Sequence, residues 1–247
     1  MKMSKKPIFI VLVILKQSVL FCQHTELNIA FQTGVFGYKT NTKVEPFFSM
    51  LNEGTAGSSN IVYPNNSWGT HSQFPYCISL DTRRVTKRKN LLGILLSYES
   101  LTTSKELHYI FHANAVNLAP ATGKCTLQNN FFTMTMYFGR RLKFGILTDD
   151  ITAGFYIGLS KFHHEWGYAT DQATQVEYKF DLSSNTSQYE GFTNADAGYT
   201  FQNILYHKRF GLSIAYSGGV QNFEGNTSAD KTYSKFFKAG IVFKLLK

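Results

Sequence analysis

The chain has 247 residues, with 25 Lys and Arg against 16 Asp and Glu, and a formal net charge of +9. Only 17% of residues are charged while 15% are aromatic, which excludes a disordered chain, and five Pro with no Gly-X-Y period exclude collagen-like or Pro-rich fibres. No uncharged apolar run of about 18 residues follows the N-terminal segment, so no helical membrane span is expected beyond it.

In chain order, the first feature reads as an address. Lys2, Lys5 and Lys6 form a basic head, Pro7 to Leu15 is almost wholly apolar, and a cysteine and polar residues follow. That order describes a cleaved secretory signal peptide, expected over 1–22, with one exported domain over 23–247. Its removal takes away Lys2, Lys5, Lys6 and Lys16 and no acid, leaving 21 basic against 16 acidic residues. The remaining balance gives no case for nucleic acid. Cys77 and Cys125 stay with the exported part. In an oxidising compartment they can form a disulfide; two unpaired small apolar side chains are the alternative. No His or Cys spacing suggests a metal site, and no motif calls for a cofactor.

Beyond the signal, apolar residues recur at every second position. Leu27, Ile29, Phe31 and Val35 begin the pattern. Leu92, Ile94, Leu96 and Tyr98 continue it, then Leu107, Tyr109 and Phe111. Phe132, Met134, Met136 and Phe138 follow, then Ile151, Phe155, Ile157 and Leu159. Tyr199 and Phe201, Phe210, Leu212 and Ile214, and Phe237, Ile241, Phe243 and Leu245 complete it. Successive strand side chains face opposite ways, so each segment has one apolar and one mixed-polar face. The segments are long enough to cross a bilayer as tilted strands, which takes about 9–11 residues. The expected fold is all-β: a closed antiparallel up-and-down transmembrane barrel of eight strands, or ten if Phe74–Leu80 and Gln175–Phe180 also cross. Closure follows because lipid offers no partner for a strand edge. Thr102–Glu106, Arg140–Asp150 and His207–Arg209 are the expected short periplasmic turns, and the connections between Tyr38 and Lys89 and over Trp166–Gly191 the long outer ones.

Phe237-Lys238-Ala239-Gly240-Ile241-Val242-Phe243-Lys244-Leu245 resembles the closing strand of bacterial outer-membrane barrels, although this chain ends Leu246-Lys247. Taken with the signal and the alternation, residues 24–247 resemble the small outer-membrane β-barrel proteins of Bacteroidota-type bacteria, a porin-like family broadly similar to OmpX, OmpW and the OmpA membrane domain. That resemblance implies an outer-membrane location and contact with outer-membrane lipid and lipopolysaccharide. It fixes no single activity.

The candidate functional residues fall into four groups. Glu99, His108, His112, Asp196 and Lys238 lie on the polar face of their segments and are expected to form a lumenal polar network, with Gln32, Asn114, Gln202 and Lys244 beside them. Arg83, Arg84, Lys87, Arg88 and Lys89 form the one dense charge run. It would touch lipopolysaccharide or a partner if outside, and would be a periplasmic turn if the strand count slips by one. His163, His164, Glu165 and Trp166, with Ser160 nearby, would suit either a lipid-cleaving hydrolase or a solvated rim with an interfacial tryptophan. Asn65, Asn185 and Asn226 head Asn-x-Ser/Thr sequons that a bacterium would leave unused. The expected function is a non-enzymatic structural or interaction component of the envelope, with loops that bind a protein partner in a larger complex. A narrow channel and a lipid A hydrolase are the alternatives.

Overall fold

The computed structural model describes residues 22–40, 50–53, 62–64, 71–112, 118–184, 195–222 and 232–246. Residues 1–21 of the expected signal peptide 1–22 and the sequons at Asn65, Asn185 and Asn226 lie outside these residues, as does Asn114. Eleven strands are described. They are β1 (Cys22–Thr40), β2 (Met50–Glu53), β3 (Val62–Pro64), β4 (His71–Thr86), β5 (Asn90–Phe111), β6 (Leu118–Phe144), β7 (Leu147–Asp171), β8 (Glu177–Ser184), β9 (Ala195–His207), β10 (Phe210–Gly219) and β11 (Thr232–Leu246).

Eight of them form a ring. β1 pairs with β4, and β4 with β5. The pairing continues through β6, β7, β9, β10 and β11, and β11 returns to β1. Every pair in the ring is antiparallel. Closure leaves no exposed ladder in the bilayer, where an unpaired peptide group would have no water to bind. β8 continues as a hairpin on β7, and the short β2 lies parallel to β5 and pairs β3.

The expected count of eight matches the ring through two compensating misassignments. Phe74–Leu80 belongs to β4, a full member of the ring. Conversely, the segments near Leu92 and Leu107 are one 22-residue strand, β5, with Thr102–Glu106 inside it rather than at a turn. Thr102–Glu106 is polar because that part of β5 stands above the membrane. Phe74 has a φ of 23°, and the register shifts there, so Pro75 enters the strand without donating to the ladder.

The short connections all lie at one end: 87–89, 145–146 and 208–209. Each holds one left-handed residue, Lys89 (φ 65°), Gly145 (φ 58°) and Lys208 (φ 57°). Short turns mark the periplasmic end of such a barrel. At the other end β5, β6 and β7 run to 22, 27 and 25 residues, far more than a crossing needs, and rise as an outer wall.

The lower part is inside-out compared with a water-soluble domain. A row of large apolar side chains is exposed all round the ring: Phe31 on β1, Ile94 on β5, Met136 on β6, Phe155 on β7, Leu212 on β10 and Ile241 on β11. Their inward neighbours are buried and largely polar.

Candidate functional site

The lumen is layered. Its floor is a charge cluster drawn from six strands. Arg141 on β6 is held from both sides: Nε and Nη2 donate to Asp150 at 2.7 and 2.8 Å, and Nη1 and Nη2 to Glu26 at 2.7 Å each. Bidentate guanidinium–carboxylate pairing of this kind fixes geometry as well as charge. Arg83 on β4 donates to Asp150 at 2.7 Å and to the Tyr206 hydroxyl at 2.8 Å, and pairs with Asp81. The Tyr137 hydroxyl and the Asn28 amide also donate to Asp81. Gly93 makes room for that tyrosine, since a Cβ there would lie 2.3 Å from its hydroxyl. Lys244 completes the cluster, 3.6 Å from Glu26 and 3.9 Å from the centre of the Tyr206 ring. Three carboxylates therefore face three cations, so the buried charges compensate one another.

The middle layer holds two smaller groups. Lys238 Nζ donates to Glu99 at 2.7 Å, and Glu99 also lies 3.7 Å from the Cys77 thiol. Asp196 accepts from Ser234 at 2.6 Å and from Tyr156 at 2.9 Å. Beside them is a cavity of about 20 Å³ lined by Glu99, Tyr156, Asp196 and Lys238, room for a single water. Gln32 on β1 donates to Ser213 on β10 at 2.9 Å, over Gly240 of the intervening β11.

Aromatic side chains roof this layer. Phe36, Tyr38, Phe131 and Phe236 pack with Leu101 and Leu127. Phe36 meets Tyr38 and Phe236 edge-on at 5.0 and 5.9 Å. Above the roof, Asn129 donates to the Tyr38 hydroxyl at 2.7 Å, and His163 bridges Asn129 at 2.6 Å and Glu165 at 2.8 Å. A bulge in β7 makes this possible. On β7 the even positions Thr152 to Gly158 face inward, but the register shifts opposite Asn130/Phe131, and beyond it the odd positions His163 and Glu165 do.

Outermost is a second, apolar core. Leu51, Leu107, Ile110, Ala121, Cys125, Ala169 and Phe180 pack on the inner face of the wall, with Tyr178 and Leu182 against them. At its edge His112 lies 3.1 Å from Asp171, and Asp171 accepts the Ala173 and Thr174 amides at 2.7 and 3.0 Å. Those amides, and then His112, hold the Asp171 carboxyl below the usual carboxylate range.

Of the residues expected in the lumen, Glu99, Asp196 and Lys238 meet there, with Gln32 and Lys244. His108 and His112 do not. The His108 side chain is 52% exposed on the outside of the wall, near Glu106, and His112 sits at the outer rim. The physical reason is that above the bilayer the apolar face turns inward. The basic run is divided, not an outer lipopolysaccharide contact: Arg83 is a floor residue at 1% exposure, Arg84 faces outward on β4, and Lys87, Arg88 and Lys89 form the periplasmic turn. Cys77 and Cys125 are buried in separate cores, and no disulfide joins them. His163 is buried away from lipid, while His164 lies on the other face, 2.8 Å from Asp181 and stacked near Trp166 at 4.5 Å. Sequence reading missed Glu26, Asp81, Asp150 and Arg141. The available signal was a charge next to an outward apolar residue, as Asp81 follows Leu80 and Asp150 precedes Ile151. No group of three or more metal-ligating side chains occurs among the described residues.

No family model matches the chain, and no curated protein matches it. Among solved structures it is similar to neisserial surface protein A, with 6% identity and a TM-score of 0.39 over 90% of this chain and 100% of that one. It is similar to Ail of Yersinia pestis, solved with the heparin analogue sucrose octasulfate, at 11% identity and a TM-score of 0.30 over 89% and 97%. The outer-membrane protease OmpT of Escherichia coli gives 8% identity and a TM-score of 0.36 over 89% and 97%. The assignment rests on the ring, the apolar belt and the turn asymmetry rather than on these likenesses. A closed eight-stranded ring with a lipid-facing outside, short turns at one end and a tall wall at the other is a small β-barrel protein of the bacterial outer membrane.

Proposed function

We propose that this protein is a structural and interaction component of the envelope: a sealed barrel that holds an outer wall in place for a protein partner, as a subunit of a larger outer-membrane complex. The observation that carries this is the state of the lumen. A water-filled pore exposes its lining, yet Glu26, Gln32, Phe36, Arg83 and Asp150 are all at most 2% exposed. A barrel of about eight strands is just wide enough for side chains to fill it, and here they do. The wall supports the second half of the proposal, because it carries its own apolar core and so stands as a folded surface above the membrane.

The test is electrical. Purified protein in planar bilayers is expected to give no steady single-channel current. Reproducible unitary conductance would overturn the sealed-barrel reading and favour a narrow channel. Cross-linking in native membranes is expected to give a fixed-stoichiometry protein partner through the wall, and its loss when Glu106, His108 and Lys179 are replaced would place the contact there. A hydrolase reading gains nothing from the geometry, since His163 and Glu165 face the lumen and not the acyl chains.

A further inference from the structure

The two ends of the barrel carry different charge. At the outer end, among the described residues, exposed Lys39, Lys179 and Lys235 are matched by exposed Glu106, Glu177 and Asp181. At the periplasmic end the exposed cations are Lys87, Arg88 and Lys89 in the first tight turn, Arg140 and Lys143 beside the second, and Lys208 and Arg209 in the third. Among the described residues no exposed acid accompanies them. Glu26 and Asp150 are buried in the lumen floor, and Asp149 accepts a hydrogen bond from Asn203 at 2.7 Å.

Three further observations say what this collar meets. First, cations continue the lipid-facing row. On β6 Arg140 follows Phe138 on the same face, and on β4 Arg84 follows Leu80 and Thr82. Second, exposed apolar side chains stand among the cations: Ile146 in the second turn with Phe144 just before it, and Phe210 just after the third. Alternating cationic and apolar side chains suit a headgroup layer, where stems and rings enter the acyl boundary and charges stay at phosphate depth. Third, Lys89 and Lys208 occupy left-handed backbone positions, where the equivalent residue of the second turn is Gly145. Gly or Asn would adopt that conformation at lower cost, so the charge is kept against a local conformational penalty.

We infer that the periplasmic turns form a basic collar that binds anionic phospholipid headgroups of the inner leaflet. The turns are tied to the floor by backbone hydrogen bonds, Arg141 N–H to Lys89 carbonyl at 2.8 Å and Lys244 N–H to Arg209 carbonyl at 2.9 Å. The collar is therefore a fixed arrangement of charge and sets the depth of the barrel in the membrane.

The experiment places the barrel in phosphatidylcholine nanodiscs with spin-labelled phosphatidylglycerol or phosphatidylcholine and measures the fraction of each label immobilised on the protein. Phosphatidylglycerol is expected to be preferred, and the preference to fall by roughly fivefold in the variant Lys87→Gln, Arg88→Gln, Lys89→Asn, Lys208→Asn, Arg209→Gln. Raising salt to about 1 M, where the screening length is about 3 Å, should act in the same direction. Retention of the gel shift between unboiled and boiled samples checks that the variant is folded; if it is not, Arg140→Gln with Lys143→Gln is expected to give a smaller loss of the same preference. The outer-end variant Lys39→Gln, Lys179→Gln, Lys235→Gln should leave the preference unchanged. No preference in the unaltered protein, or an equal loss from the outer-end variant, would overturn the inference. So would co-sedimentation with purified peptidoglycan that the turn variant abolishes while lipid preference is absent.

Discussion

Strands β5, β6 and β7 pass through two regions built on opposite rules. Within the membrane their outward residues are apolar, as with Ile94, Met134 and Ile157, and their inward residues polar, as with Glu99, Thr133 and Tyr156. Above it the inward residues become apolar, Leu107, Ile110, Cys125 and Ala169, while Glu106 and His108 face out. The same strands stay paired in both regions, with register shifts at Asn130/Phe131 and Leu107/Tyr109. What changes is the solvent. Acyl chains reward apolar atoms on the outside and leave polar groups to pair within, whereas water drives apolar atoms together. The difference teaches that one strand can carry two cores, an ionic one held by geometry and an apolar one held by area.

The sharpest way to break this comparison is at the ionic floor. Arg141→Leu leaves Glu26 and Asp150 without their shared guanidinium, and removing one partner of a buried pair costs about 3–5 kcal/mol. Urea unfolding in detergent should show that loss, whereas Lys179→Ala on the exposed wall should leave the unfolding midpoint unchanged. If the two variants match, the floor does not hold the barrel. In the apolar region, Ile110→Ala is expected to cost about 2–5 kcal/mol, but locally. Amide exchange should rise in the upper β5, β6, β7 and β8 and stay unchanged at membrane-level positions such as Ile94 and Met136; equal changes in both would merge the two cores into one.

Smaller effects sharpen the boundary between the regions. His163→Phe strands the Asn129 and Glu165 groups it bridges and should cost about 1–3 kcal/mol without altering the acyl content of lipid A. A changed acyl content would revive the hydrolase reading. The least effect is at the rim. Because the Asp171 carboxyl is held below its ordinary value when folded, its stabilisation is full above the unfolded pKa of about 4 and is lost as pH falls towards the lower folded value. The protection factors of the Ala173 and Thr174 amides, corrected for the intrinsic pH dependence of exchange, should therefore fall only on acidification, and Asp171→Asn should remove that dependence.

These regions also explain which parts of the molecule were legible. The alternation of Phe132, Met134, Met136 and Phe138, and of Phe237, Ile241 and Leu245, locates lipid-facing strands directly, because a period of two against a one-sided apolar solvent has few other meanings. Applied above the membrane, the same rule placed His108 in the lumen and split β5 at Thr102–Glu106. β4 was harder to place because Phe74, Pro75 and a register shift interrupt its upper part. His163 and Glu165 share a face by simple parity, but only the β7 bulge decides that this face is the inner one.

By itself, the amino-acid sequence determined that the chain would close into a small transmembrane barrel, since long strands with one apolar face have to satisfy their backbone groups without water. Tertiary structure alone decided which charges meet. Glu26 and Arg141 are 115 residues apart, and Glu99 and Lys238 are 139 apart. Those pairings depend on ring closure and stagger, which set the height of each inward side chain and which no local pattern encodes. The same closure gathers three separate basic turns at one end of the barrel.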